Sequence, residues 1–412
     1  MAGATINLDN QPGQARDWRQ RLGLRHSHAG ADPSPADLVQ RLSELREKFI
    51  AHYVRFVELP EGLWLDLHQA HTLAWQLGCA EKAAGNDGAS VAEIYRDTLL
   101  LAVADPYRLS SEEFVWLCAL IADRGSLARL HPAAGAWRRT GVFVIDHRLD
   151  QPPAPLARAP EPLLRAWSFA LNTAELVKFL TWLINALASP VSPEDLRAPP
   201  LNDPRYPAFL ERLKRQWSAS YWRLATRHAI DPPLPYALCV GFPALVAALA
   251  AAVQTTGIEP PDTPEMTLAR LTCRLINQSP GGITLSLAEA PSRLRVGGLV
   301  GARADDASSW QVGIICWLRS NRRGDTQFGL QWLAPQARVV DLMPRHAESG
   351  QPVLLLSTHP GHVEAGLLLA PVTKLPAGNA ARIRMDGVVR EIRVEQRLRV
   401  AQGIVTCRVR VR

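Results

Sequence analysis

The sequence predicts a multidomain α + β protein, in which a mostly α-helical N-terminal domain is followed by an antiparallel β-barrel and a further small β-module. Its 412 residues suffice for two or three domains, and 47% of them are apolar, enough to fill several cores. Apolar residues recur at helical spacing in the first part of the chain and alternate with polar residues after residue 265. A proline cluster at 260–264 separates the two patterns.

These patterns divide the chain into five segments: a mobile leader at 1–33, an α-helical domain at 34–256, a Pro-rich linker at 257–264, the β-barrel at 265–343 and the β-module at 346–412. The leader is polar and lacks the basic start and apolar core of a signal peptide, so we expect a cytoplasmic protein. The six cysteines form no Cys-x-x-Cys pair, which agrees with a reducing compartment.

The helical domain opens with a clear start signal, because Ser34 can cap a helix whose first residue is Pro35. An apolar stripe at helical spacing follows, formed by Leu38, Leu42, Leu45, Phe49 and Tyr53. Capping boxes predict two further helix starts, at Ser90 with Glu93 and at Ser110 with Glu113. The remaining elements expected in this domain are helices at 61–79, 162–171, 173–187 and 207–228 and a short strand at 142–145.

One apolar segment, Tyr236 to Val253, has 18 residues without a charge. Gly241 and Pro243 interrupt it, and alanine, which contributes little to membrane insertion, dominates its second half. We therefore expect a buried helix that starts at Gly241-Phe242-Pro243, and no membrane span.

Beyond the linker the apolar residues alternate with a period of two, which predicts antiparallel strands separated by turns. The expected strands are 270–276, 283–287, 293–303, 310–318 and 326–333 in the barrel, and 353–358, 363–370, 381–385, 387–394 and 403–411 in the module.

The turn Asn277-Gln278-Ser279-Pro280-Gly281-Gly282 is the strongest local signal in this region. Asn and Ser side chains can bond to turn amides or to a ligand, and the paired glycines permit a positive φ or a close backbone approach. A phosphate or a purine edge could reach such a turn, with nearby arginines neutralising the charge. A plain β-turn capped by Asn and Ser is the alternative.

Asn277, Ser279 and Gly282 match the (Asp/Asn)-x-Ser-x-x-Gly signature of PilZ domains, which this region resembles. The later hairpin, Val312-Gly313-Ile314-Ile315-Cys316-Trp317 with Phe328-Gly329-Leu330, is also similar to that family. The resemblance covers about residues 265–343. It implies an antiparallel six-stranded PilZ-like β-barrel that binds cyclic di-GMP, a doubly anionic bacterial second messenger, and needs no other cofactor.

The family's second motif is an Arg-x-x-x-Arg pair upstream of the turn, and the nearby match is Arg270 with Arg274, on the strand that enters the turn. The resemblance thus implies a ligand site of Arg270, Arg274, Asn277, Ser279 and Gly282. Other arginines could supply anion contacts instead: Arg293, Arg295, Arg319, Arg322 and Arg323. The barrel could equally be a degenerate one that no longer binds the nucleotide.

The charge distribution also points to an anionic partner, because residues 265–412 carry 19 Arg and one Lys against 11 acids while the first 264 residues are slightly acidic. No P-loop, nucleophile elbow or zinc-protease motif is present, so no enzyme is expected. His359 and His362 favour a polar loop over a metal site.

The sequence therefore predicts a signalling protein that relays cyclic di-GMP to a protein partner through its helical domain, with motility, adhesion, pili or exopolysaccharide as the output implied by the resemblance. An interaction scaffold with a degenerate barrel remains open. Nucleic-acid binding is less favoured, because the strands lack a clear aromatic platform.

Overall fold

The computed structural model describes residues 33–83, 88–132, 140–159, 169–189, 203–219, 226–254, 270–305, 307, 309–334, 336–343, 350–357, 365–372, 380–401 and 403–411. The expected leader at 1–32, the linker at 257–264 and the loop with His359 and His362 lie outside this part. The chain forms two compact units. The first holds residues 1–106, 111–201 and 207–222, and the second holds 107–110, 202–206 and 223–412.

The helices of the N-terminal region are α1 (Pro35–Val54), α2 (Leu63–Gln76), α3 (Val91–Val103), α4 (Ser111–Arg124), α5 (Ala174–Ala188) and α6 (Tyr206–Trp217), with short 3-10 turns at Pro106–Arg108, Gly125–Leu127 and Leu156–Arg158. The Ser34 hydroxyl accepts a bond from the Asp37 amide, and the Asp37 carboxylate accepts one from the Ser34 amide. All five apolar residues that were predicted to form one face of α1 are buried. The Ser90–Glu93 capping box is also formed. The N-terminal helices therefore begin where local sequence signals place them.

A small antiparallel sheet accompanies these helices, with the strand order β1-β4-β2-β3. Its strands are β1 (Arg129–Pro132), β2 (Val142–Ile145), β3 (Ala154–Pro155) and β4 (Phe169–Asn172). The predicted strand at 142–145 is confirmed as β2, whose four residues are all buried. Residues 169–171 are part of β4, where the sequence predicted the end of a helix at 162–171. The three strands β1, β3 and β4 are too short to give a repeating pattern in the sequence.

Three histidines, His68, His71 and His147, are buried together with Tyr95 in the first unit. The carbonyl oxygen of Gln151 can only accept, so His68 donates to it from Nε2, at 2.9 Å, and its Nδ1 accepts from the Tyr95 hydroxyl, at 2.7 Å. The Tyr95 oxygen lies 3.1 Å from His147 Nε2. Burial lowers the pKa of His68 to about 4 and that of His71 to about 3. The cluster is therefore neutral in the folded protein.

We predict that His71→Phe makes the stability of the first unit less sensitive to acid. The His71 ring stacks on Tyr95 at 4.0 Å, and phenylalanine keeps that contact. In the unfolded chain His71 takes up a proton below its ordinary pKa of about 6.5, whereas the folded protein resists protonation until about pH 3. The unfolded state therefore binds more protons in this window, and the free energy of unfolding falls as pH falls, by up to ~1.4 kcal/mol per pH unit for each such histidine.

Calorimetric unfolding of the full chain at about pH 7.5 and about pH 5 measures this difference. His52→Gln is the matched control, since it removes a histidine of α1 that lies outside the buried cluster, beside the Lys48 carbonyl. Equal slopes for the wild type and His71→Phe would contradict the prediction.

The second unit contains two closed six-stranded antiparallel barrels, which confirms the predicted fold class. The first barrel has the strand order β10-β7-β6-β5-β8-β9. Its strands are β5 (His228–Val240), β6 (Arg270–Ser279), β7 (Gly282–Leu287), β8 (Leu299–Ala304), β9 (Gln311–Ser320) and β10 (Thr326–Ala334).

Strand β5 lies within the range expected for the helical domain, and this is the largest difference from the sequence-based expectation. Helix α6 ends at Trp217, short of the expected end at 228, and His228 to Val240, which include the first residues of the apolar segment, form β5. The prolines at 232, 233 and 235 masked the strand in the sequence. A register shift between Ala229 and Leu234 accommodates Pro232 and Pro233, since prolines are tolerated at bulges, whereas Pro235 lies opposite Arg274.

The second barrel has the strand order β11-β12-β13-β16-β15-β14. Its strands are β11 (Gln336–Met343), β12 (Gln351–Ser357), β13 (Ala365–Pro371), β14 (Ala380–Met385), β15 (Val388–Ala401) and β16 (Ile404–Val411). Strand β11 lies inside the 265–343 range expected for the first barrel, yet it pairs with β12 and β14. The strands change from one barrel to the other between Ala334 and Gln336. This boundary differs from the expected one, which ended the first barrel at residue 343.

Helix α7 (Phe242–Gln254) follows β5 and packs between the two barrels. Leu245 shares a buried cluster with Trp310 of the first barrel and with Leu354 and Leu356 of β12. The alternate residues of β12, Val353 and Leu355, face the core of the second barrel. Strand β12 is thus buried on both faces, which explains its continuous apolar run. No helix in the described part of the chain is long and apolar enough to cross a membrane.

Candidate functional site

The signature turn joins β6 to β7, and its residues first of all shape the hairpin. The Ser279 hydroxyl donates a hydrogen bond to the Gly282 carbonyl at 3.2 Å, and the Gly281 carbonyl accepts one from the Trp332 amide at 3.0 Å. Gly281 and Gly282 are both outside the positive-φ region. Of the two roles expected for the glycines, close backbone approach is therefore the one in use, since a Cβ at Gly282 would collide with the Leu330 carbonyl oxygen.

We predict that Gly282→Ala destabilises the barrel by about 1–3 kcal/mol, because strand β10 would have to move away from β7 to accept the methyl group. Gly281→Ala is the matched control, since nothing lies within 4 Å of a Cβ there. Denaturant unfolding of the two variants measures the difference. Equal stability of the two variants would show that the close approach at Gly282 carries no constraint.

Arg227, directly before β5, reaches the signature residues from the neighbouring strand. Strands β5 and β6 are antiparallel, and His228 lies opposite Gln278 and Ala229 opposite Asn277. The Arg227 Nη1 donates to Asn277 Oδ1 at 3.1 Å and to Thr284 Oγ1 at 2.6 Å. Two neutral oxygen acceptors thus hold a guanidinium in a fixed position at the turn.

Trp317 extends this arrangement across the next two strands. Thr284 lies opposite Gly329 in the β7–β10 pair, and Gly329 lies opposite Trp317 in the β10–β9 pair. The residues beside them, Phe328 and Leu318, are buried in the barrel, so this row lies on the outer face. A Cβ at Gly329 would collide with the Trp317 indole, so the indole lies directly over this glycine. The half-exposed indole therefore covers Gly329 of β10, and β10 is the strand next to β7, on which Thr284 contacts the Arg227 guanidinium.

We refer to Arg227, Asn277, Thr284, Gly329 and Trp317 as the outer row. It combines a fixed cation, two hydrogen-bonding side chains and an aromatic ring at neighbouring positions, which lie about 5 Å apart across a sheet. A guanidinium favours phosphate oxygens and the guanine edge, and an indole favours a flat ring. The outer row therefore suits a ligand that is both anionic and aromatic.

The other arginines that the sequence predicted as ligand contacts are not members of the outer row. Arg274 is exposed on β6 opposite Ser286, on the outer face. Arg270 begins β6, and its side chain lies outside the described part. Arg293 and Arg295 are exposed in the loop between β7 and β8.

Arg319, Arg322 and Arg323 lie around the β9–β10 hairpin tip, beyond the Thr326–Leu287 pair, whereas the signature turn lies at the Gln331–Gly282 pair. Five residue steps separate the two pairs, roughly 17 Å along the strands. Asn321 closes this tip by accepting bonds from the amides of Arg323 and Asp325. The hairpin arginines are thus not brought to the signature turn.

Sequence reasoning missed Arg227, although a signal for it exists. Arg223-Leu224-Ala225-Thr226-Arg227 has the Arg-x-x-x-Arg spacing. It precedes the turn by 50 residues because α7 is inserted between β5 and β6, so it fell outside the expected distance. Arg223 itself lies outside the described part of the chain.

A family model for the middle PilZ domain of the cyclic-di-GMP receptor FimW matches residues 248–338. The chain contains a PilZ domain. The model for the N-terminal domain of the same receptor matches residues 15–134. The matched PilZ range begins inside α7 and leaves out β5, although this strand closes the PilZ barrel.

Among curated proteins, the chain is similar to the cyclic-di-GMP receptor FimW of Pseudomonas aeruginosa, with 23% identity over 415 residues. The match covers 83% of this chain and 66% of the relative, so the chain spans just under two thirds of that protein's length. Within the residues that the structure describes, no three His, Cys, Asp or Glu side chains are arranged to hold a metal ion.

Proposed function

We propose that the PilZ barrel binds cyclic di-GMP at the outer row and that the protein transmits this signal to a partner. The observation that carries the proposal is the Arg227 guanidinium held by Asn277 and Thr284 beside Trp317. The similarity to a protein named as a cyclic-di-GMP receptor, in both the N-terminal and the PilZ regions, supports it.

The arrangement suits this ligand for three physical reasons. Cyclic di-GMP carries two phosphate charges, and a charge-assisted bond from arginine to phosphate is stronger than a neutral one. Arg227 is positioned before the ligand arrives, so little side-chain entropy is lost on binding. A guanine ring can stack on the Trp317 indole. In this proposal Ser279 and Gly282 act by shaping the turn, and Arg223 and Arg274 add positive charge.

We predict that Arg227→Gln weakens cyclic di-GMP binding by at least about tenfold, since a hydrogen bond to a charged group contributes roughly 1.5–3 kcal/mol. Glutamine can still bond to Asn277 and Thr284, so the barrel should remain folded. Titration calorimetry with the full chain measures the affinity. Arg323→Gln, which removes the same charge at the hairpin tip, is the control and should change the affinity less than about twofold.

Equal losses in the two variants would mean that general positive charge, and not the outer row, attracts the nucleotide. The absence of any binding heat in the wild type would favour an interaction scaffold with a degenerate barrel.

We predict that Trp317→Leu also weakens binding, by roughly five- to 100-fold, because stacking of a base on an aromatic ring contributes about 1–3 kcal/mol. Leucine fills part of the space over Gly329, which limits damage to the fold. A variant with leucine in place of Trp332, on β10, is the control and should bind as the wild type does. Unchanged affinity in Trp317→Leu would remove the indole from the site.

The signal would pass to a partner through a shift between conformations that differ in affinity for the nucleotide. We propose that the N-terminal helical domain contacts a protein partner, that the protein acts in the cytoplasm, and that it has no catalytic step. Control of motility, adhesion, pili or exopolysaccharide is the output that the family resemblance favours.

A further inference from the structure

Most of the chain's excess charge is concentrated in the last three strands of the second barrel. Residues 380–412 contain nine arginines, no lysine and three acids, which gives a net charge of +6 out of +7 for the whole protein. These residues form β14, β15 and β16 and lie outside the PilZ range matched by the family model. The charge is therefore not accounted for by the outer row.

Strand register collects four of these arginines on one outer surface. The inward residues Ile392, Val394, Cys407 and Val409 fill the core, so the residues between them point outward. Arg393 lies directly opposite Arg410 across the β15–β16 pair, and Arg408 lies two residues from Arg410 on the same face. Arg382 lies opposite Glu391 on the β14–β15 pair. All four arginines are exposed. We call Arg382, Arg393, Arg408 and Arg410 the arginine face.

The Arg393–Arg410 pair is unfavourable by itself, because like charges directly opposite each other destabilise a sheet. Glu395 relieves part of this repulsion through its bond to Arg410 Nε at 3.1 Å. The neighbours on the outer strands are the small residues Ala380 and Ala365, which leave the pair accessible from outside. An approaching carboxylate would remove the remaining repulsion and could bond to both guanidinium groups.

We propose that the arginine face docks an acidic segment of a partner protein. Three acids lie among the arginines: Glu391 and Glu395 on β15, and Asp386 in the turn between β14 and β15. They would be repelled by the uniform negative charge of a nucleic acid or an anionic membrane, whereas a protein segment can meet them with its own basic or neutral residues.

The composition of the strands also favours protein over nucleic acid. Residues 380–412 contain no Phe, Trp or Tyr, so no stacking platform for bases exists there. The β14–β15 hairpin exposes two valines, Val388 at 55% and Val389 at 47%, which can add apolar contact at the edge of the arginine face. A patch of arginines with an apolar edge is typical of protein interfaces, in which arginine is enriched and lysine depleted.

Fluorescence anisotropy with the full chain tests the proposal, with three labelled probes at the same ionic strength: a short peptide of alternating glutamate and serine, a DNA duplex and vesicles of phosphatidylglycerol. The test variant is Arg393→Gln with Arg410→Gln. The control is Arg319→Gln with Arg323→Gln, which removes two charges from the hairpin of the PilZ barrel. We expect the peptide to bind and its affinity to fall at least about tenfold in the test variant and less than about twofold in the control.

Equal losses in both variants would overturn the proposal, because they would reflect net charge alone. Tighter binding of DNA or vesicles than of the peptide, with loss only in the test variant, would also overturn it and assign the face to another class of partner. Cyclic di-GMP affinity, measured in parallel, should be unchanged in the test variant. Failure of the proposed nucleotide site is thus distinguishable from failure of the arginine face.

Discussion

The antiparallel pairing of β5 with β6 is the contact on which the candidate site depends. It closes the first barrel by joining β8 to β6, and it also carries Arg227 to Asn277 and Thr284. An arginine side chain on a mobile loop would lose the conformational entropy of several rotatable bonds on binding an anion. Here the barrel has already fixed it, because Arg227 directly precedes a strand of the closed sheet and donates to Asn277 and Thr284.

Helix α7 places a second constraint on the same region. It is inserted between the two paired strands and packs against both barrels, so the hydrophobic cluster around Leu245 links β8 of the PilZ barrel to β12 of the second barrel. At Gly301 of β8 a Cβ would meet the Leu245 side chain, which shows how closely the helix approaches the sheet. A movement of β5 on nucleotide binding would therefore change the contacts of α7 with the first barrel and, through α7, its contacts with the second barrel.

The two arginine-bearing surfaces differ in how their charge is held, and this difference suits different partners. Arg227 is half-buried and held in one position by two uncharged oxygen acceptors. The arginine face is exposed and interspersed with carboxylates, as at Arg410 and Glu395. Such a mixed surface discriminates by the pattern of charge, since a wrong partner brings like charges together.

The sequence by itself determined the features that depend on near neighbours. Helix α1 with its Ser34 cap and buried stripe, the strand β2 and the β6–β7 turn follow from short periodic patterns and local capping chemistry, whereas the six-stranded barrel was implied by the family resemblance. Only the tertiary structure decided that β5 belongs to the first barrel, that β11 belongs to the second, and that Arg227 donates a hydrogen bond to Asn277. The physical reason is that these facts depend on strand pairing across about 50 residues of intervening chain and on a bulge that accommodates prolines, and a local pattern such as the spacing of Arg223 and Arg227 does not specify which strands pair.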